Sequence, residues 1–133
     1  MYIDHIGIAV KDLEAAIETY EKLLQTPCYK REVVESQNVE TAFLQTGESK
    51  VELLGATDPE SVINKFIEKK GEGMHHVAFE VDDIQAEIKR LKSEGFTLLS
   101  DSPKPGADQK QIVFLHPKSS NGVLVELCQT VKQ

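Results

Sequence analysis

Apolar and polar residues alternate along 2–10 and again along 75–81, the period of a half-buried strand. Each stretch is followed by apolar residues at helical spacing. Leu13, Ile17, Tyr20 and Leu24 mark the first helix, and Ile84, Ile88 and Leu91 mark the second. Asp12 and Asp83 stand where an N-cap carboxylate accepts the free N–H groups of a first turn, and Gly95 suits the end of the second helix. Three more strands are predicted after each helix. They fall at about 28–36, 39–45 and 49–54, then at about 97–100, 111–116 and 123–128. Between the two sets, Pro59 followed by Val62, Ile63, Phe66 and Ile67 predicts a short linker helix over about 58–70, ended by Gly71 and Gly73. The Pro and Gly content of Ser102–Gln109 predicts a loop.

The two sets are copies of one unit. His5-Ile-Gly-Ile-Ala-Val10 aligns with His76-Val-Ala-Phe-Glu-Val81 at an offset of 71, which still holds at Ala42-Phe43-Leu44 against Val113-Phe114-Leu115. Val51-Glu52-Leu53-Leu54 then meets Val125-Glu126-Leu127-Cys128 at 74, the three extra residues falling in the turn His116–Leu124. An offset that changes only at a turn is the mark of a duplicated module. The expected fold is α+β: one domain over residues 1–133, with two tandem βαβββ modules forming a curved mixed sheet around a metal-binding cavity. Module 1 covers about 1–56 and module 2 about 74–130.

Composition narrows the function. The 133 residues suit one domain. With 15 Lys+Arg against 22 Asp+Glu, a net charge of −7, no long basic run and no Trp, nucleic acid is an unsuitable partner. No apolar run approaches the roughly 18 residues of a membrane span. The start MYIDHIGIAV does not read as a signal or transit peptide. Cys28 and Cys128 make no disulfide framework, so a reducing, cytoplasmic home is expected.

Strand alternation assigns the polar residues to faces. His5, Gly7 and Ala9 share one face of their strand, as His76, Ala78 and Glu80 do of theirs; Glu52 opposes Val51 and Leu53, and Glu126 opposes Val125 and Leu127. His5 and His76 are equivalent in the repeat, and so are Glu52 and Glu126. Pairing of the modules about a pseudo-twofold axis would bring all four to one point. Two imidazoles and two carboxylates suit a divalent Co, Ni, Mn, Fe or Zn ion, and the lack of thiolate disfavours a structural zinc. Four protein ligands on an octahedral ion leave two adjacent positions, enough for Lewis-acid chemistry on a carbonyl. His75 is read as structural and His116 as an exposed turn residue. Lys104, Lys110 and Lys118 could meet an anionic ligand tail.

Glu40 breaks the symmetry, since its repeat partner is Gln111. It shares a face with Ala42 and Leu44. A carboxylate beside a metal-bound carbonyl is a general base for removing a proton from the neighbouring carbon, so Glu40 is a candidate catalytic residue.

The repeated unit with His…Glu and His…Glu resembles the vicinal oxygen chelate superfamily, which includes glyoxalases, bleomycin resistance proteins and dioxygenases. Within it, the segments DHIGIAVKDL (4–13), KVELL (50–54), GEGMHHVAFEVDDI (71–84) and FLHPKSSNGVLVEL (114–127) resemble the methylmalonyl-CoA epimerase family. The resemblance implies interconversion of the two epimers of an acyl-CoA substrate at C2, through a metal-stabilised enolate, by a homodimer. It puts the metal on His5, Glu52, His76 and Glu126, and the base on Glu40, with Glu126 doubling as the second acid/base. The loop Pro105–Gln109 departs from the family in carrying less glycine. The alternative is glyoxalase I, acting on the methylglyoxal–glutathione hemithioacetal. Its usual Asp-Pro-Asp-Gly turn is replaced here by His116-Pro-Lys-Ser. A ring-cleaving dioxygenase would need the position Glu52 fills to be open. A metal-free drug-binding protein would not need four ligands.

Overall fold

The computed structural model describes residues 1–132. Eight strands and three α-helices follow one another in the order expected of a duplicated βαβββ unit, and the chain separates into two units. His5–His75 form one; residues 1–4 group with the stretch from His76 onward in the other.

In the first module, β1 (Tyr2–Ala9) leads to α1 (Leu13–Leu24), then β2 (Lys30–Val34), β3 (Val39–Thr46), β4 (Ser49–Ala56) and α2 (Val62–Lys70). The strand order is β2-β3-β4-β1, with β1 and β4 parallel and the other pairs antiparallel. Asp12 caps α1, its carboxylate accepting the Ala15 N–H at 3.1 Å, a contact worth about 1 kcal/mol. The apolar stripe Leu13, Ile17, Tyr20 and Leu24 lies on buried Val10, Ala42, Leu44 and Leu53. The opposite face is closed at one end by α2, whose Ile63, Phe66 and Ile67 cover Ala9, Val39 and Leu54.

The second module repeats the plan with β5 (Gly73–Glu80), α3 (Ile84–Ser93), β6 (Lys104–Gly106), β7 (Lys110–Leu115) and β8 (Val125–Thr130), in the order β5-β8-β7-β6. Asp83 caps α3 through the Ala86 N–H, again at 3.1 Å. Ile84, Ile88 and Leu91 pack on Val81, Val113, Leu115 and Leu127. The registers match between copies. Gly7 pairs with Glu52 as Ala78 pairs with Glu126, and Phe43 faces Glu52 as Phe114 faces Glu126.

Three expectations are corrected. The linker helix starts at Val62 rather than near residue 58, because the Ser61 hydroxyl accepts the Ile63 N–H and is the better cap; Pro59 lies in the turn before it. Residues 97–100 make only an isolated bridge, Leu98 to Leu115. The edge strand of module 2 is instead β6, inside the segment read as a loop. Gly106 permits this approach, since a Cβ there would sit 2.9 Å from the Ile112 side chain. Pro105 offers no N–H and is tolerated at an edge. Last, β8 begins at Val125, two residues later than the pattern indicates.

Candidate active site

Each module builds a buried histidine–carboxylate pair from its first and last strands. In the first, the parallel β1–β4 register sets Glu52 beside Gly7. His5 Nδ1 and Glu52 Oε2 are 3.1 Å apart, and both residues are 4% exposed. In the second, Ala78 takes the place of Gly7, and His76 Nε2 lies 3.3 Å from Glu126 Oε1. The aromatic partners follow from the same registers. The ring of Phe114 meets His76 edge-on at 5.8 Å, and Phe43 stands opposite Glu52.

A buried carboxylate is costly unless a cation or proton compensates it. An imidazole nitrogen and a carboxylate oxygen just over 3 Å apart leave one place for that positive charge. Two adjacent donors about 2.1 Å from an octahedral ion would be separated by about 3.0 Å, so both pairs fit neighbouring ligands of a divalent metal. Cys128, on the Glu126 face of β8, adds no thiolate. Burial, together with the charges of Glu126 and Asp4, pushes its thiol far above the ordinary range. The facing atoms of both pairs are nitrogen and oxygen, and both cysteines are free.

Glu40 is not brought to this site. It does share a face with Ala42 and Leu44, but that face packs on α1. Glu40 pairs with Gly55, where a Cβ would touch Leu13 of α1 at 3.1 Å, whereas Glu52 pairs with Phe43, one residue out of phase. The carboxylate of Glu40 instead accepts from Arg31 Nε at 2.9 Å, and Arg31 also grips Glu14 of α1 at 3.0 Å. A general base is worth about 10²–10⁴ in rate, so Glu40→Gln, measured by C2 proton exchange, is expected to stay within about threefold of the native chain.

Two of the sequence-selected lysines remain exposed, Lys104 and Lys118, but Lys110 does not. It is buried, with its ammonium 2.7 Å from Glu80, 2.8 Å from the Thr130 hydroxyl and 3.3 Å from Asp4. An anionic ligand tail cannot use it. Burial works to raise the Glu80 carboxyl, but hydrogen bonds from Lys110 and Thr130 outweigh it and hold that group low. Sequence reasoning missed this network, although the repeat signals it: Lys110 and Glu80 stand where module 1 has Val39 and Ala9. His116 is half-buried rather than exposed, its Nδ1 accepting the Lys118 N–H at 3.1 Å. A cleft of about 790 Å³ in the second unit is lined by Asp82, Gln85, Gln111 and Gln129, among others, and includes neither His76 nor Glu126.

His75, read as structural, packs edge-on against Phe66 of α2 at 5.0 Å. Burial lowers its pKa from 6.5 to about 4. The unfolded chain therefore takes up this proton first. The stability that His75 contributes is complete above pH 6.5 and is lost as the pH falls towards 4. The interval corresponds to up to about 3 kcal/mol. Urea unfolding at pH 7 and pH 4.5 is expected to show a smaller loss for His75→Leu than for the native chain.

Among the described residues no helix is long and apolar enough to cross a membrane. Residues 4–114 match the Glyoxalase/Bleomycin resistance protein/Dioxygenase superfamily. The mouse mitochondrial methylmalonyl-CoA epimerase is 41% identical over 96% of this chain and 72% of its own length. The ethylmalonyl-CoA/methylmalonyl-CoA epimerase of Cereibacter sphaeroides is 41% identical over 96% of both chains. The crystal structure of methylmalonyl-CoA epimerase from Mycobacterium tuberculosis superposes with a TM-score of 0.94 at 35% identity, covering 98% of this chain and 89% of that one. A methylmalonyl-CoA epimerase in complex with methylmalonyl-CoA and NH4+ gives 0.91 at 38% identity, covering 98% and 94%. By sequence over nearly its whole length and by fold, this chain belongs to the methylmalonyl-CoA epimerase family of the glyoxalase/bleomycin resistance/dioxygenase superfamily.

Proposed function

We propose that the chain interconverts the epimers of methylmalonyl-CoA at C2, with a divalent ion held by His5, Glu52, His76 and Glu126. The observation that carries the metal reading is the buried His–Glu pair recurring at equivalent positions of both modules; family membership carries the substrate. When bound, the ion supplies a Lewis acid that polarises the thioester carbonyl and so acidifies the C2 proton.

The residues of the chain do the rest. Epimerisation needs a proton taken from one side of C2 and another returned from the opposite side, so two acid/base groups are required. With Glu40 on the α1 face, the two buried carboxylates in matching settings are Glu126 and Glu52. Glu126 takes one transfer, and Glu52, its counterpart in the repeat, takes the other. Phe43 and Phe114 stand beside these carboxylates and keep water from them, which strengthens every charge interaction with the reacting atoms. The donor set admits Co, Ni, Mn, Fe or Zn without choosing among them. The same reading includes a reducing cytoplasmic setting and a homodimer.

The competing glyoxalase I chemistry uses a similar metal and enolate, so substrate choice decides between them. The cobalt-loaded chain is offered single-epimer methylmalonyl-CoA and, separately, the methylglyoxal–glutathione hemithioacetal. Epimerisation of the first without lactoylglutathione from the second is the expected result. Turnover of the hemithioacetal alone would replace the epimerase reading.

A further inference from the structure

The two modules hold the residue before their ligand histidine in different ways. His75, which precedes His76, is pinned by the ring of Phe66 in α2. Asp4, which precedes His5, is pinned by the ammonium of Lys110 at 3.3 Å. Lys110 is itself fixed by Glu80 Oε1 at 2.7 Å and Thr130 Oγ1 at 2.8 Å, while Glu80 Oε2 accepts the Thr130 N–H at 2.9 Å.

This network is an expensive way to fill space. Asp4, Lys110 and Glu80 side chains are only 7%, 8% and 12% exposed. Removing three charges from water costs several kcal/mol each, and an apolar set of similar volume is often no less stable. The repeat shows that the apolar solution exists. The equivalents of Glu80, Lys110 and Cys128 are Ala9, Val39 and Leu54, which with Ile63 form a dry cluster. What the ionic version does and the apolar one cannot is hold a carboxylate, and the carboxylate it holds is joined through one peptide bond to His5. Consecutive Cα atoms are about 3.8 Å apart along a stiff strand, so a shift of Asp4 moves the imidazole.

We infer that Lys110 is a positioning residue, whose ion pairs with Asp4 and Glu80 fix the β1 backbone that presents His5 to the metal. The inference rests on the metal site proposed above. It predicts that loosening the network harms metal binding more than folding.

The test uses Co²⁺ as the probe, with affinity from chelator competition and coordination from the visible absorption of the bound ion. Two variants are compared with the native chain, each checked for folding by circular dichroism. One is Asp4→Asn, which keeps size and shape. The other is the neutral triple Asp4→Asn, Glu80→Gln, Lys110→Met. Groups that orient metal ligands typically contribute 10–100-fold in affinity, so Co²⁺ binding about that much weaker, with an altered spectrum, is expected in both. If the triple variant fails to fold, Asp4→Asn alone decides. A native chain that binds Co²⁺, beside folded variants with unchanged affinity and spectrum, overturns the positioning role and leaves the metal site standing. A native chain that binds no Co²⁺ overturns both.

Discussion

Glu126→Gln is expected to slow interconversion of the epimers at C2 by about 10³-fold, within the 10²–10⁴ that a positioned acid/base supplies. The substitution keeps the shape of the side chain and one carbonyl oxygen for the metal but removes the ability to take a proton. It is buried between Phe114 on β7 and Ala78 on β5, so no bulk water can replace it. Rates are read at saturating metal, which separates lost proton transfer from lost affinity. The expected defect is also sided. One epimer loses its proton acceptor and the other its proton donor, so deuterium enters from one epimer much more slowly than from the other. Glu52→Gln should show the opposite preference. Equal, undiminished exchange from both epimers in either variant would remove that carboxylate from the mechanism.

His76→Ala is expected to be the most damaging ligand substitution. It deletes one nitrogen donor and leaves Glu126 buried without the imidazole 3.3 Å away. Breaking a buried pair in this way typically costs 3–5 kcal/mol, about as much as the affinity of many ligands can restore. Two results follow together. The metal-free variant melts below the metal-free native chain. Added metal, which stabilises the native chain by about 4 kcal/mol at a thousandfold excess over Kd, no longer shifts its melting temperature. A variant that still gains the full metal-dependent shift would show that His76 is not a ligand.

The His–Glu pairs were legible in the sequence because the duplication states them twice. One histidine on a strand is unremarkable; the same position filled by histidine 71 residues later is a constraint. The helix caps at Asp12 and Asp83 were legible for the same reason and are present in both modules. Glu40 shows where the reading fails. Alternation placed it correctly with Ala42 and Leu44, but it does not say which face of one strand continues which face of the next. That depends on register, and a slip of one residue exchanges inside for outside. Only the pairing of Phe43, not Ala42, with Glu52 settles it. β6 was hidden because its pairing is made by Lys-Pro-Gly, residues without strand propensity, against Lys110–Ile112. Lys110 was misread because charge suggests surface, and a lysine buried by two acids and a threonine has no local signature.

Metal-dependent epimerisation is tested by deuterium entry at C2 of single-epimer methylmalonyl-CoA in deuterated water, followed together with loss of optical activity. The native chain is assayed after chelation and again after Co²⁺ is restored. Little exchange is expected in the stripped chain, and fast exchange with racemisation once metal returns. Exchange that is as fast without metal, or absent with every divalent ion tried, would contradict metal-dependent epimerisation.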